Sequence, residues 1–130
     1  MVEYRSKEEI TNDPLTEKII AACFKVHTAL GPGLKEKMYE NALKIALDQA
    51  ALRHSAEKSY VVKFDNKRIG ILRIDLVVDD NVIVEIKAVS GIVPKIFEHQ
   101  ILSYLKISGL QIGLLVNFGE KSCQVRRFIN

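Results

Sequence analysis

Residues 69–89 contain two apolar runs that alternate with polar positions and are separated by Asp79-Asp80-Asn81. Successive side chains on a β-strand point to opposite faces, so each run sorts its residues onto two faces. The three residues between the runs are typical of a turn, and three-residue connections are common in hairpins. The segment therefore predicts an antiparallel β-hairpin with one apolar face, and any fold of this chain has to bury that face.

The alternation also predicts the register of this hairpin. The two apolar faces must coincide, because a slip by one residue would turn the apolar set of one strand to solvent. The apolar face is predicted to contain Leu72 and the cross-strand pairs Val78–Val82, Leu76–Val84 and Ile74–Ile86. The same register places Asp75 directly across from Glu85, and Arg73 across from Lys87.

The two opposed carboxylates suggest a metal site. Side chains at directly paired positions lie ~4.5–5.5 Å apart at Cβ, where like charges are destabilising. A divalent cation would remove the repulsion between Asp75 and Glu85, and Mg²⁺ commonly uses one or two carboxylates together with water and phosphate oxygens. Lys87 lies on the same face, within reach of a bound water or phosphate. Alternatively these are solvated charges on an open sheet face, which Arg73 and Lys87 neutralise. The hairpin alone leaves both interpretations open.

The rest of the chain supplies the other elements of a mixed α/β domain. Asp13 and Pro14 are a helix-start signal, and Gly31-Pro32-Gly33 is a stop signal for the same helix. The further elements are predicted at about Leu34–Leu52 (helix), Tyr60–Phe64 (strand), Ile69–Val78 (strand), Val82–Val89 (strand), Pro94–Ile107 (helix), Leu110–Phe118 (strand) and Gln124–Ile129 (edge strand). Residues 1–12 are expected to be loosely ordered.

Length and composition are those of one ordinary globular domain. A chain of 130 residues is long enough to bury a core without disulfides. The net charge of +3 is compatible with a polyanionic partner but does not require one. Cys23 and Cys123 lie far apart and predict free thiols in a reducing compartment rather than a disulfide or metal site. No segment is typical of a signal peptide or a membrane span, so a cytoplasmic location is expected.

The start of the second predicted helix carries another acidic candidate. Glu36 and Tyr39 are three residues apart and share a helix face, which continues through Leu43 and Ala46 towards the core. A carboxylate that points inward is costly unless it is paired or bound to a metal. A first-turn glutamate that faces solvent and complements the helix dipole has no such cost. Periodicity does not decide between these alternatives.

Together these residues resemble a known family. Gly33, Glu36 and Tyr39 reproduce the signature of the GxxExxY proteins, a branch of the PD-(D/E)XK nuclease superfamily. Asp75 followed by Glu85-Ile86-Lys87 is similar to the D…(D/E)xK core of that superfamily. The resemblance extends from about Leu15 to Phe128 and includes the segments His99–Lys106 and Gly113–Gly119.

The resemblance implies a fold and an activity. The expected fold is an αβββαβ core with an extra N-terminal helix and a mixed central sheet flanked by helices. Asp75, Glu85 and Glu36 are expected to hold Mg²⁺ or Mn²⁺, while Lys87 and Gln100 act on the water or the phosphate. The implied reaction is metal-dependent hydrolysis of nucleic acid. The alternative is a non-catalytic module that binds nucleic acid or a protein, and a homodimer or protein partner is expected to supply substrate choice.

Overall fold

Helices on both faces of a six-stranded mixed sheet form the architecture of the computed structural model, which describes residues 3–4 and 13–130. In chain order the elements are β1 (Glu3–Tyr4), α1 (Pro14–Leu30), α2 (Glu36–Gln49), β2 (His54–Phe64), β3 (Lys67–Val78), β4 (Val82–Lys87), α3 (Ile96–Ser108), β5 (Ile112–Asn117) and β6 (Gln124–Ile129). This order confirms the predicted mixed α/β class with its extra N-terminal helix. Apart from β1, the prediction for residues 1–12 lies outside the described residues.

The sheet has the strand order β1-β6-β5-β4-β3-β2. Strands β2, β3 and β4 form an antiparallel meander, and β4 then pairs in parallel with β5. Parallel neighbours need a crossover connection, which α3 supplies here. The segment from α2 to β5 thus has the expected αβββαβ order, and β6 pairs antiparallel with β5.

The ends of α1 follow the signals in the sequence. The Asp13 side chain caps the helix by accepting hydrogen bonds from the backbone N–H groups of Leu15 (3.0 Å) and Thr16 (3.2 Å). Pro14 occupies the first helical position, and the helix ends at Gly31. None of the helices in the described ranges is both long enough and apolar enough to cross a membrane.

The core consists of two apolar clusters, one on each face of the sheet. The larger cluster lies between the sheet and helices α1 and α2, and it includes Leu76, Val78, Val82, Val84 and Ile86. The smaller cluster lies under α3 and includes Ile74, Val77, Ile83, Ile101, Leu105, Leu115 and Phe128. Val78 pairs with Val82 across the hairpin, which confirms the predicted register next to the turn.

The predicted alternation is wrong beyond Leu76. Ile74 belongs to the cluster under α3, and Leu72 packs against that cluster, so both lie on the face opposite to Leu76. In the β2–β3 ladder, Ala56 pairs with Leu76 and Lys58 pairs with Ile74, which is the same register. Glu57 and Asp75, which lie between these pairs, do not pair with each other. Glu57 of β2 has a left-handed backbone (φ 56°), so the ladder is irregular at the position where the facing of β3 reverses.

The predicted pairing of the charged residues is also wrong. Within the described chain, the β3–β4 ladder contains only Val77–Ile83 and Val78–Val82. It does not pair Asp75 with Glu85 or Arg73 with Lys87, because the two strands separate before these positions. The separation also relieves the repulsion that two directly opposed carboxylates would experience.

Strands β2 and β3 continue together well beyond their pairing with β4. We call Ser59–Arg73 of this hairpin the arm. Asp65 and Asn66 form its two-residue turn and both have positive φ angles (50° and 61°), as such hairpin turns require. The register shifts between Val62 and Lys63, which marks a β-bulge.

Candidate functional site

The residues of the G-x-x-E-x-x-Y segment hold the start of α2 against the sheet. Gly33 has a φ of 108°, which favours glycine because other residues carry a Cβ. The Tyr39 hydroxyl donates to the Gly31 carbonyl (2.5 Å) and accepts from the Leu34 N–H (3.1 Å). The Tyr39 ring stacks on Phe118 with ring centroids 4.7 Å apart. These contacts fix the turn that leads into Glu36, the first residue of the helix.

Glu36 lies at the edge of the sheet and not in the core. Its side chain is 50% exposed, and its Oε1 atom is 3.9 Å from the Lys87 ammonium nitrogen. Glu36 and Tyr39 share one face of α2. This face is half exposed at Glu36 in the first turn and becomes fully buried at Tyr39. Partial exposure agrees with the solvent-facing alternative, while the contact with Lys87 brings Glu36 to the other candidate residues.

Lys87 is the last residue of β4, and two helices hold its side chain. Only 14% of the side chain is exposed. Its ammonium nitrogen lies 4.2 Å from the centroid of the Phe97 ring on α3, a cation–π contact, and faces Glu36 of α2 on the other side. The position of this positive charge is therefore defined by α2, β4 and α3 together.

Glu85 is a buried acid beside Lys87. Its residue is only 8% exposed, and burial raises the pKa of its carboxyl group to about 7. The Lys87 charge lowers this pKa, whereas the charges of Asp75, Glu36 and Glu40 raise it further. Among the described residues, none donates a hydrogen bond to the Glu85 carboxylate. A buried carboxylate in this situation is unstable in its charged form unless a cation joins it.

Asp75 lies on the exposed side of the same site. It occupies the position at which β3 reverses its facing, and its residue is exposed to solvent. Its charge acts on Glu85 and on Tyr104, so the three groups are near one another although no strand ladder joins them. The structure thus brings Asp75, Glu85, Glu36 and Lys87 together, but by a different arrangement from the predicted pairing.

One face of α3 borders the site. Phe97, Gln100 and Tyr104 are spaced three and four residues apart and therefore lie on the same helix face. Phe97 contacts Lys87, and Tyr104 lies close enough to Glu85 and Asp75 that their charges, after burial, raise the pKa of its phenol. The half-buried Gln100 lies between these two residues on the sequence. Tyr104 was not singled out from the sequence, although its spacing of four from Gln100 was available as a signal.

Asn117 is a second residue that sequence reasoning missed. It is 1% exposed at the end of β5, and its Oδ1 atom accepts from the N–H groups of Val89 (2.8 Å) and Gly119 (3.1 Å). Its Nδ2 atom donates to the Val89 carbonyl (2.9 Å) and to Gln124 (3.2 Å). A Cβ on Gly119 would lie 2.4 Å from Val89, so only glycine fits there. The amide thereby fixes the chain two residues after Lys87.

Replacing Asn117 is expected to destabilise the fold. Asn117→Leu keeps the branched shape of the side chain but leaves the half-buried N–H and carbonyl groups of Val89 without this partner, at a cost of about 2–4 kcal/mol. Urea denaturation would measure the change in the free energy of unfolding. Asn41→Leu, at an exposed position of α2, serves as the control and should change it by less than about 0.5 kcal/mol. Equal losses in both variants would contradict the structural role of Asn117.

The donor set fits a hard divalent cation. The described part of the chain holds no group of three or more His, Cys, Asp or Glu side chains arranged to bind one metal ion. Zn²⁺ usually needs three or four protein ligands, whereas Mg²⁺ often takes one or two carboxylates and completes its shell with water and phosphate. The exposed Asp75 and the buried, unpartnered Glu85 have the chemistry that Mg²⁺ or Mn²⁺ requires.

The histidines and cysteines lie outside this site. His27 is buried and hydrogen-bonds to the Glu120 carbonyl (2.7 Å), His54 pairs with Asp48, and His99 is exposed. Cys23 and Cys123 are both free thiols, as predicted. Their burial raises the thiol pKa, to about 12 for Cys123, which disfavours the reactive thiolate.

The fold and the clustered acids with one lysine define a nuclease-like α/β domain. The family model for the PD-(D/E)XK nuclease superfamily matches residues 13–128, which is most of the chain. The chain belongs to this superfamily, whose members generally use divalent metal ions and act on nucleic acids. No curated protein and no solved structure matches the chain at a significant level.

Proposed function

We propose that this protein is a member of the GxxExxY branch that hydrolyses phosphodiester bonds of nucleic acid with Mg²⁺ or Mn²⁺. The observation that carries the proposal is the buried Glu85 carboxylate. It has no hydrogen-bond donor among the described residues, yet it lies beside Asp75 and the fixed ammonium of Lys87. Burying an acid in this way is costly, and a bound cation is the simplest compensation.

Each residue of the site has a distinct role in this proposal. Asp75 and Glu85 would hold the metal, and Glu36, which faces Lys87 here, would join them when the metal binds. The metal would polarise a phosphoryl oxygen and lower the pKa of bound water. The Lys87 ammonium stabilises negative charge that develops on the phosphate, and its contacts with Glu36 and Phe97 fix it before substrate arrives. Gln100 positions the phosphate or the attacking water from α3.

Metal binding is expected to depend on Asp75. Calorimetric titration of the purified protein with Mg²⁺ and Mn²⁺ at about pH 8 should detect binding, because Glu85 is ionised above pH 7. Asp75→Asn keeps the shape but removes one carboxylate charge, and we expect it to weaken binding by at least about tenfold, which corresponds to about 1.4 kcal/mol. Asp65→Asn, in the turn of the arm, removes the same charge at an exposed position and should bind as the wild type does.

The same preparations are suited to a cleavage panel. Single- and double-stranded DNA and RNA, each incubated with either metal and with EDTA, would identify the substrate class. Metal-dependent cleavage that Asp75→Asn lacks and Asp65→Asn retains would support the proposal. Absence of metal binding in the wild type would contradict it, and would favour a non-catalytic module that retains the nuclease fold.

A further inference from the structure

The arm exposes an apolar band on the face that α3 does not cover. On the covered face, Tyr60 and Leu72 pack against the cluster under α3. Antiparallel pairing places directly opposite residues on the same face, so the uncovered face carries the pairs Ser59–Arg73 and Val61–Ile71 and, beyond the bulge, Lys63–Arg68. Val61 is 51% exposed and Ile71 is 54% exposed.

The bulge enlarges this exposed surface. Ile69 is the extra residue of the bulge and is 67% exposed, whereas the Phe64–Lys67 pair beside the turn lies on the other face by the same alternation. Contiguous apolar surface of this kind commonly marks an interaction site. On the uncovered face of the arm, the aliphatic pair Val61–Ile71 therefore lies between two pairs that carry cations, Ser59–Arg73 and Lys63–Arg68.

The cations of the arm have no acidic partners in the described structure. Lys63, Arg68 and Arg73 are exposed and form no ion pair there, unlike Lys58, which pairs with Asp80 just outside the arm. Uncompensated Lys and Arg side chains in a row attract a polyanion. The charge of this face is thus complementary to a phosphate backbone.

The row of cations runs along β3 towards Asp75. Arg73 is two residues from Asp75 on β3, and Arg68 is five residues further along the strand. At about 3.3 Å per residue, the row from Arg73 to Arg68 extends roughly 17 Å, enough to follow several consecutive phosphates. A backbone bound along this row would lie next to Asp75, whereas Glu85 and Lys87 point to the α3 side of the sheet.

We infer that the uncovered face of the arm binds double-stranded DNA next to Asp75, an inference that rests on the proposed function. Two paired strands lie ~4.8 Å apart and fit the major groove of B-form DNA, which is about 12 Å wide. The deep, narrow major groove of A-form RNA does not admit side chains in this way. Aliphatic side chains such as Val61 and Ile71 also lack the stacking surface that single strands favour.

The inference predicts a loss of DNA affinity when the arm loses its charge. The variant Lys63→Gln/Arg68→Gln/Arg73→Gln removes three exposed cations without touching the core. Fluorescence anisotropy with a labelled duplex of about 20 base pairs, in EDTA so that no cleavage occurs, should show at least about tenfold weaker binding at about 0.1 M salt. The slope of log K against log salt should become shallower by about 2 to 3, because each phosphate contact contributes about 0.9.

A matched variant controls for net charge. Lys18→Gln/Lys106→Gln/Lys121→Gln removes the same number of exposed cations from α1, α3 and the β5–β6 connection. It should retain the wild-type salt slope. Circular dichroism melts of both variants should superimpose on that of the wild type, so that weaker binding cannot be attributed to unfolding.

Several outcomes would overturn the inference. Equal salt slopes for the arm variant and the wild type would do so, as would tighter binding of a single strand or an RNA duplex than of the DNA duplex. A wild-type dimer in light scattering that the arm variant dissociates would show that a second copy covers this face instead. Arm-dependent duplex binding without any metal-dependent cleavage would preserve the inference about the surface and reject only the proposed nuclease activity.

Discussion

Lys87→Ala is expected to lower the rate of metal-dependent phosphodiester cleavage by about 10²–10³-fold while the protein remains folded. Lys87 is the last residue of the central strand β4 and belongs to neither apolar cluster, so its removal opens no large cavity in the core. The charge that is lost is one that α2 and α3 hold in a fixed place. Steady-state and single-turnover cleavage of the best substrate from the panel would measure the effect.

Two separate physical causes contribute to this loss. The first is the missing stabilisation of charge on the phosphate. The second acts through Glu85, because the Lys87 charge lowers the pKa of that carboxyl group and its removal raises the pKa above about 7. At neutral pH the variant then binds metal less well. Measuring cleavage at about pH 9 with saturating metal should recover the second contribution and leave the first.

The control for this experiment lies on the neighbouring helix. Lys106→Ala removes an exposed lysine from the last turn of α3 and should leave cleavage within about twofold of the wild type. Asp75→Ala is expected to be as inactive as Lys87→Ala. Equal activity in the wild type, Asp75→Ala and Lys87→Ala would identify a contaminating nuclease, and the site assignment would then be wrong.

Glu85→Gln is expected to stabilise the metal-free protein at about pH 8 while abolishing cleavage. The unfolded chain ionises Glu85 near pH 4.5, whereas the folded protein does so only near pH 7. Between these values the folded state binds more protons, so the stability that this group contributes at low pH is lost as pH rises to about 7. The difference corresponds to about 3 kcal/mol, which the neutral amide would recover.

Thermal denaturation across pH measures this effect directly. In EDTA at about pH 8, Glu85→Gln should melt roughly 10 °C above the wild type, while near pH 4 the two should melt together. Added Mg²⁺ should raise the melting temperature of the wild type but not of the variant, because a ligand that binds only the folded state stabilises it. Glu17→Gln, exposed on α1, should behave as the wild type throughout. Parallel pH profiles for wild type and Glu85→Gln would show that Glu85 carries no burial cost.

The fold could be predicted from local patterns to a large extent. Asp13 and Pro14 mark the start of α1, the turns at 65–66 and 79–81 lie where polar residues interrupt apolar runs, and Val78 pairs with Val82 as the alternation requires. Each of these features depends on neighbours in the sequence. The wider α/β order followed from the same local signals.

The reversal at Asp75 could not be predicted from alternation. It coincides with an irregular position of the ladder, where Glu57 on the neighbouring strand has a left-handed backbone, and nothing in the β3 sequence records that irregularity. Strict alternation assumes an unbroken strand, so it placed Ile74 on the wrong face and paired the two acids directly. The three residues Asp75, Glu85 and Lys87 were nevertheless brought together, because β3 and β4 adjoin in either arrangement.

The contacts that support the site could not be predicted for a different reason. These contacts join elements that are separated in the sequence. They are Phe97 with Lys87, Tyr104 with Glu85, and Asn117 with Val89. Such contacts depend on how helices pack on the sheet, which periodicity does not specify. Periodicity identifies which face of a helix packs inward, but it does not identify the residues of the sheet that this face contacts.

The parallel pairing of β4 with β5 has a consequence for synthesis on the ribosome. The meander β2–β3–β4 is complete at Lys87, but β4 gains its second neighbour only when Asn117 has been added, 30 residues later. At about 5–20 residues per second this interval lasts roughly 2–6 seconds. During this interval the backbone N–H and C=O groups on one side of β4 have no partner strand and are accessible to chaperones and to other nascent chains. An open strand edge can pair with another chain, so the unfinished sheet is open to aggregation during this interval.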